Sequence, residues 1–272
     1  MTAARPLRRH SHRSAQHAGS LLTLHGLGAL ALSAAACAGA DSRRPGFDFM
    51  GPSTQAMQRD DSQNPAMLWV KDGEALWNTA AGESGKSCAS CHGDATASMR
   101  GVATRHPAFD PRSGGALTLS QRIAACRTQR QRAPALAPES PALLGLESFV
   151  AMQSRGLTIA APDPRLVRQR ERGERLYTER IGQLGLSCAQ CHDDNAGQRL
   201  AGNSIPQAHP TGYPIYRLEW QGLGSLQRRL RNCMSGVRAE PFAYGAPELV
   251  ELELYLMARA AGMKVDAPAV RP

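Results

Sequence analysis

The cysteine and histidine residues of this sequence have the spacing of covalent haem attachment. Two segments share one pattern, CASCH at 88–92 and CAQCH at 188–192. Two thiols at this spacing add to the two vinyl groups of one porphyrin, and the histidine that follows ligates its iron. A duplicated zinc site is the alternative, but it pairs two CxxC motifs in one site and needs no trailing histidine. The pattern predicts two haem c groups. The predicted haem residues are Cys88, Cys91, His92, Cys188, Cys191 and His192.

An internal repeat positions the two motifs. The segment GEALW at 73–77 matches GERLY at 173–177, at the same offset of 100 residues that separates the CxxCH motifs. Each copy predicts a helix, followed by a glycine-containing loop that leads into the motif. This arrangement is typical of the N-terminal part of a small cytochrome c domain.

The two cysteines outside the motifs also recur. LSQRIAACR around Cys126 aligns with LQRRLRNCM around Cys233, now at an offset of 107. A predicted helix follows in each copy and ends near Gly156 or Gly262. Because only these cysteines recur with matching neighbours, we expect Cys126 and Cys233 to be the second axial ligands of the two irons. A thiolate ligand lowers the haem potential and suits a site where sulfur itself reacts.

Other assignments of these positions remain open at this point. A disulfide between Cys126 and Cys233 is one alternative, since spare cysteines in an oxidising compartment commonly pair. Met234 is the chief rival ligand in the second copy, although its counterpart Arg127 cannot ligate iron. The complete set of rival ligands is Met99, His106, Met152, His209, Met234 and Met257.

The repeat predicts an all-α fold of two tandem cytochrome c-like domains, each with one covalently attached haem. The predicted boundaries are an N-terminal arm at 41–72, a first domain at 73–164 and a second domain at 165–272, hereafter the first and second halves. Residues 1–40 are basic, then apolar, and end in small residues, which is typical of a secretory signal peptide. We expect cleavage near Ala40 and a soluble periplasmic protein, with lipidation at Cys37 as the alternative.

Composition narrows the function classes. The chain of 272 residues has a net charge of +9 and 42% hydrophobic residues, which excludes disorder as its main state. Four arginines and no acidic residue lie within residues 1–40, so the remainder is only modestly basic. With aromatic residues at 5%, little is available for base stacking, and no nucleic acid partner is expected. No other apolar run reaches the length of a membrane-spanning helix.

Together these residues resemble the dihaem form of the SoxA family, the cytochrome subunit of bacterial thiosulfate oxidation. The resemblance covers the whole predicted exported chain and rests on the two CxxCH motifs, RIAACR at Cys126, RNCMSG at Cys233 and the C-terminal LELYLMARAAG. It implies a heterodimer with the monohaem cytochrome SoxX and a reaction that joins thiosulfate to a cysteine of the carrier protein SoxYZ. It also implies that Cys233 is the catalytic residue and the distal ligand of the second haem, and that Cys126 is the distal ligand of the first.

The resemblance assigns substrate binding to Arg229 and to Arg259. In a helix, Arg229 and Cys233 are four residues apart and share a face, so the guanidinium can hold the sulfonate oxygens of thiosulfate. Arg122 precedes Cys126 by the same spacing, so binding of a haem propionate is an open alternative. For Arg259 the alternative is a solvated arginine near a helix end.

We therefore predict an L-cysteine S-thiosulfotransferase that passes two electrons to cytochrome c. A dihaem electron carrier without a catalytic step is the alternative. A dihaem peroxidase would need an open iron and a polar distal pocket, and nothing in the sequence marks one.

Overall fold

The computed structural model describes residues 41–272, of which Ser42–Pro272 form one compact unit. The predicted signal peptide at 1–40 and the lipidation alternative at Cys37 lie outside the described residues. The α-helices of the described part are α1 (Pro52–Arg59), α2 (Ala66–Asn78), α3 (Cys88–His92), α4 (Ala95–Ser98), α5 (Leu119–Gln129), α6 (Pro141–Met152), α7 (Val167–Thr178), α8 (Cys188–His192), α9 (Leu226–Gly236) and α10 (Pro247–Arg259). Within residues 41–272, none of these helices is long and apolar enough to cross a membrane.

Short strands accompany the helices. They are β1 (Ala108–Asp110), β2 (Gly115–Leu117), β3 (Arg199–Leu200), β4 (Asn203–Ser204), β5 (Ile215–Arg217), β6 (Gly222–Gly224) and β7 (Ala269–Arg271). β1 pairs with β2 and β3 with β4, both antiparallel, while β5 lies between antiparallel β6 and parallel β7. The all-α prediction is thus incomplete. Strands of two or three residues are too short to produce the alternating pattern by which a sequence indicates a strand.

Each half is built on two crossed helices. α2 packs against α6 in the first half, and α7 packs against α10 in the second. A Cβ atom on Gly73 would lie 2.0 Å from the carbonyl oxygen of Gly145, and one on Gly173 would lie 2.0 Å from that of Glu251. Only glycine permits this backbone approach, which explains why the two copies of the repeated helix share it.

Serine residues begin the two short helices that carry the CxxCH motifs. The Ser87 side chain accepts a hydrogen bond from the backbone N–H of Ser90, and the Ser90 side chain accepts one from the N–H of Ser87. Ser187 and Gln190 form the same reciprocal pair at the start of α8. A five-residue helix is unstable by itself, so these capping boxes fix the orientation of the cysteines and the histidine.

Apolar clusters join the two halves. One cluster combines Ala151 and Ile159 of the first half with Ala260 and Val265 of the second. Another packs Leu144 of α6 against residues of β5, β6 and β7. The two halves therefore share parts of one hydrophobic core.

The predicted N-terminal arm is largely structured. It contains α1, which packs against β7, and the first turns of α2, which begins seven residues before the repeat at Gly73. The Arg43 side chain donates hydrogen bonds of 2.8 Å to the carbonyl oxygens of Arg259 and Ala261. The start of the described chain is thus attached to the second half.

Candidate active site

The six cysteines of the described part are all free thiols. Cys126 and Cys233 are therefore not joined to each other, contrary to the disulfide alternative. Each lies beside the first motif cysteine of its own half. Burial, followed by the nearby charge of Cys126, raises the pKa of Cys88, and burial with Cys233 raises the pKa of Cys188 to about 11. The repeat thus places one additional cysteine next to each attachment motif.

His192 has a fixed orientation in the second half. Its Nδ1 atom donates a hydrogen bond of 2.6 Å to the carbonyl oxygen of Pro206. This contact leaves Nε2 available as a metal ligand, and His192 lines the same cavity as Cys233. An imidazole that faces a thiol beside two motif cysteines is a donor set that fits a haem c iron.

The surroundings of Cys233 favour its thiolate form. Burial by itself raises the pKa of this thiol, but the hydrogen bond from His192 and the positive charges of Arg229 and Arg217 bring the pKa below its ordinary value. Cys233 thereby meets the electrostatic requirement for both a metal ligand and a sulfur nucleophile.

A cavity of about 170 Å³ adjoins Cys233 and is called here the Cys233 cavity. Its wall includes His192, Arg217, Arg229 and Cys233. Arg229 comes from α9, one turn before Cys233, as the sequence predicts for two residues on one helix face. Its side chain forms no hydrogen bond or ion pair with any residue in 41–272. The cavity therefore combines a nucleophilic sulfur with an uncompensated cation.

The corresponding region of the first half is arranged differently. His92 is exposed, and its ring centroid lies 5.7 Å from that of Trp77. Arg122, the counterpart of Arg229, forms an ion pair of 3.0 Å with Asp110. The hydrogen bond from Arg122 is the main reason that the pKa of Asp110 is lowered. The positive charge near Cys126 is thus already neutralised.

Arg259 is not part of the Cys233 cavity wall. Its guanidinium pairs with Asp193 at 2.5 Å and lies over the ring of Tyr177, 4.6 Å from the centroid. Tyr177 also donates a hydrogen bond of 2.9 Å to Asp193. Since Asp193 directly follows His192, Arg259 holds the end of the motif helix, and the structure does not bring it together with Arg229 and Cys233.

Most of the rival ligands lie elsewhere. Met234 is buried but does not line the Cys233 cavity, and Met99 and Met152 pack against the hydrophobic core of the first half. His209 does line the cavity, and its Nδ1 atom contacts the carbonyl oxygen of Arg44 at 2.9 Å. His106 and Met257 line a separate cavity between the halves.

Three features of the site escaped the sequence analysis. The Pro206 carbonyl is a backbone group and leaves no signal in a sequence. Arg217 lies on β5, and Tyr213 lies two residues before this strand; both line the Cys233 cavity. The offset of 107 that aligns the cysteine helices also applies to the segments before them. At this offset Arg217 occupies the position of Asp110.

Comparisons with known proteins agree with this geometry. The family model "SoxA/TsdA, cytochrome c domain" matches residues 72–159 and 172–265. The L-cysteine S-thiosulfotransferase subunit SoxA of Rhodovulum sulfidophilum is 36% identical over 232 residues, which cover 85% of this chain and 81% of that protein. The subunit of the same name from Paracoccus pantotrophus is 35% identical and covers 85% of this chain and 80% of that protein.

A solved structure is similar as well. The crystal structure of SoxXA from P. pantotrophus superposes with a TM-score of 0.81 at 35% sequence identity. The match covers 85% of this chain and 87% of that chain. At this similarity the shared fold extends through both halves of the described residues.

Proposed function

Because this chain belongs to the SoxA/TsdA family of cytochrome c domain proteins, we propose that its second half performs sulfur transfer at Cys233. The chain is an L-cysteine S-thiosulfotransferase subunit. The observation that carries the residue assignment is the meeting of Cys233, His192 and the unpaired Arg229 in one cavity.

Two haem c groups are part of the proposal. Cys88 and Cys91 would attach the first and Cys188 and Cys191 the second, in the two predicted domains at 73–164 and 165–272. The axial ligand pairs would be His92 with Cys126 and His192 with Cys233. Haem c bound in the second half supplies an electron acceptor next to a ligating sulfur. The residues present fit this group because each half offers two thiols, an imidazole and a further thiol.

The proposed reaction has two steps at Cys233. First, the Cys233 thiolate forms an S–S bond to the outer sulfur of thiosulfate, giving Cys–S–S–SO3⁻ with release of two electrons. Second, the thiolate of a carrier cysteine attacks the outer sulfur of this adduct, takes over the S–SO3⁻ group and regenerates the Cys233 thiolate. Overall, a carrier thiol and thiosulfate give the carrier S–S–SO3⁻ product, one proton and two electrons. The electrons pass to a c-type cytochrome.

Arg229 has the substrate-binding role in this proposal. Its guanidinium fork matches the oxygens of a sulfonate, and its position one turn before Cys233 holds the outer sulfur near the thiolate. Binding of substrate by Arg259 would require it to leave Asp193 and Tyr177, so the proposal depends on Arg229.

The proposed protein partner and substrates are those of the related SoxA proteins. The solved structure is that of a SoxXA complex, and we propose that this chain likewise pairs with a SoxX-type monohaem cytochrome. The carrier protein SoxYZ and thiosulfate are the proposed substrates, and the periplasm is the proposed compartment.

Peptide mass mapping under non-reducing conditions tests the assignment of Cys233. The tryptic peptide Asn232–Arg238 (NCMSGVR) should carry additional sulfur after exposure to thiosulfate. The matched control is Ile123–Arg127 (IAACR), which carries Cys126 and should remain unmodified. Equal modification of both peptides, or of neither in the oxidised holo protein without a carrier thiol, would contradict the assignment.

A coupled assay separates the enzyme from the electron-carrier alternative. The holo complex should consume thiosulfate and a carrier thiol in equal amounts, and Arg229→Gln should lose this reaction while both haem spectra persist. A dihaem electron carrier without a catalytic step would exchange electrons normally and would consume neither thiosulfate nor the carrier thiol.

A further inference from the structure

The two halves differ in the charge of the residue that accompanies the arginine one turn before the additional cysteine. β1 and β5 are equivalent at the offset of 107, as are α5 and α9, so that Asp110 corresponds to Arg217 and Arg122 corresponds to Arg229. The strand registers agree, because Asp110 pairs with Gly115 and Arg217 pairs with Gly222. The first half therefore has an acid opposite its arginine, whereas the second half has another arginine.

This replacement leaves positive charge without a full partner. The Arg217 side chain is only 8% exposed, and its Nε atom is buried without a hydrogen-bond partner among the described residues. Its Nη2 atom donates one bond of 2.7 Å to Glu219, whose carboxylate is 62% exposed. Burial lowers the pKa of Arg217, and the nearby positive charge of Arg229 lowers it further.

The remaining charged group of the cavity is compensated. Arg271 also lines it, but this side chain pairs with Asp266 at 3.3 Å and donates to Gln58. No Asp or Glu side chain of residues 41–272 is included in the cavity wall, which also contains the last residue, Pro272. A buried guanidinium with an unused donor, beside a second guanidinium with no partner, is costly unless an anion binds there.

We propose that Arg217 is a second substrate-binding residue, which together with Arg229 clamps the sulfonate end of thiosulfate beside Cys233. This inference deepens the proposed function and depends on it. Thiosulfate is a dianion whose three oxygens can accept from two guanidinium groups at once, leaving the outer sulfur directed to the thiolate. The first half cannot bind the same anion, because Arg122 already forms an ion pair with Asp110.

A carboxylate would satisfy the same donors, so a haem propionate is a second source of the anion. The two sources differ in what a substitution changes. Loss of a substrate contact weakens thiosulfate binding, whereas loss of a propionate contact alters the haem reduction potential. Both quantities are measurable on the holo protein.

The test compares three charge-removing substitutions in the holo complex: Arg217→Gln, Arg229→Gln and the control Arg228→Gln. Arg228 is on the same helix but lies over the Trp220 ring and does not line the cavity. Equilibrium dialysis with labelled thiosulfate should show about a tenfold or greater rise in Kd for Arg217→Gln, the size expected for one hydrogen bond to a charged group. Arg228→Gln should bind as the unaltered protein does, and the second-haem potential of the charge-conserving variant Arg217→Lys should be unchanged.

A charge exchange provides the decisive variant. Arg217→Asp builds the ion pair of the first half into the second, so it should fold with full haem content and bind thiosulfate more weakly than Arg217→Gln. If Arg217→Gln fails to fold, Arg217→Lys keeps the charge but not the fork and should show an intermediate Kd.

The outcomes are separable. Arg217→Gln with the Kd of the control and a shifted potential would assign Arg217 to a propionate and overturn the inference. Wild-type protein that neither binds nor consumes thiosulfate would overturn the proposed function itself. Weakened binding in Arg217→Gln, together with an unchanged potential in Arg217→Lys, supports the clamp.

Discussion

The first and second halves share a scaffold but differ in the charges around it. Both have a glycine at the helix crossing, a serine cap before the CxxCH helix and a cysteine beside the first motif thiol. In the first half, the arginine near that cysteine is paired with Asp110. In the second, the arginine is unpaired, and a second arginine replaces the acid.

The histidines of the two CxxCH motifs also differ in their contacts. His192 is held by the Pro206 carbonyl and faces Cys233, whereas His92 is exposed and forms no hydrogen bond through its ring within residues 41–272. The repeated fold thus supplies the same positions for the cysteines and histidines in both halves, while a few side chains around them differ in charge and contacts.

The largest expected effect is the loss of activity on substitution of Cys233. Cys233→Ala should lower the rate of thiosulfate coupling by a factor of about 10³ or more, because it removes the sulfur to which the new bond forms. The matched first-half variant Cys126→Ala should keep the rate within about tenfold. Steady-state assay of both holo proteins checks this difference, and equal losses would remove the functional distinction between the halves.

The helix crossing offers a test of the shared scaffold. Gly173→Ala should lower the free energy of unfolding by about 3 kcal/mol, since its methyl group would collide with the Glu251 carbonyl. Gly73→Ala should have a loss of the same size in the first half. Gly51→Ala is the control, because a Cβ there meets no atom within 4 Å, and it should stay within about 0.5 kcal/mol. Guanidinium unfolding of the holo protein measures all three.

Glu147 and Glu253 provide a test of the interface between the halves. They are equivalent residues of α6 and α10, and they line one cavity together with His106 and Tyr213. Burial, with the charges of Glu253 and Glu139, raises the pKa of Glu147 to about 8. Burial is also the main reason that the pKa of Glu253 is raised to about 7, although a hydrogen bond with Gln227 opposes the shift.

These shifts give the pH dependence a definite sign. The folded protein holds protons on these carboxyl groups that the unfolded chain releases above about pH 4.5, so stability falls as the pH rises from there to about 8. Relative to Glu147→Gln, the unaltered protein should lose about 1–3 kcal/mol of unfolding free energy across this range. Urea unfolding at a series of pH values measures this loss. Parallel curves of unfolding free energy against pH for both proteins would show that Glu147 does not hold a proton in the folded state.

The smallest expected effect concerns the ion pair of the first half. Asp110→Asn should slightly lower the thermal midpoint at neutral pH, because Arg122 loses its partner. The lowered pKa of Asp110 means that this stability is present above the unfolded pKa and disappears as the pH falls through the folded one. Calorimetry should therefore find a difference at pH 7 that vanishes in acid, and thiosulfate coupling should be unaffected.

The sequence was informative wherever chemistry fixes spacing. Haem attachment requires CxxCH, and repetition at a second offset identified Cys126 and Cys233 although neither lies in a known short motif. The structure places Cys233 and His192 together across one cavity. The paired helices of each half were also predicted, since their glycines and apolar residues recur.

Other features depend on contacts between distant segments. The role of Arg259 could not be derived from the sequence, because its partner Asp193 is 66 residues away. Without that contact, Arg259 cannot be distinguished from a solvated arginine near a helix end. Arg217 was missed for a different reason. Its strand has only three residues and contains no repeated cysteine, so no pattern in the sequence marks it.

The N-terminal arm and β7 have a consequence for assembly. Gly46 and Met50 of the arm line the Cys233 cavity together with Arg271 of β7, although more than 200 residues separate them. The Gln58 side chain accepts a hydrogen bond from the N–H of Val270, which ties these two segments to each other. Contacts of such high sequence separation form late in folding. The wall of the cavity therefore closes only after β7 has packed beside the N-terminal arm.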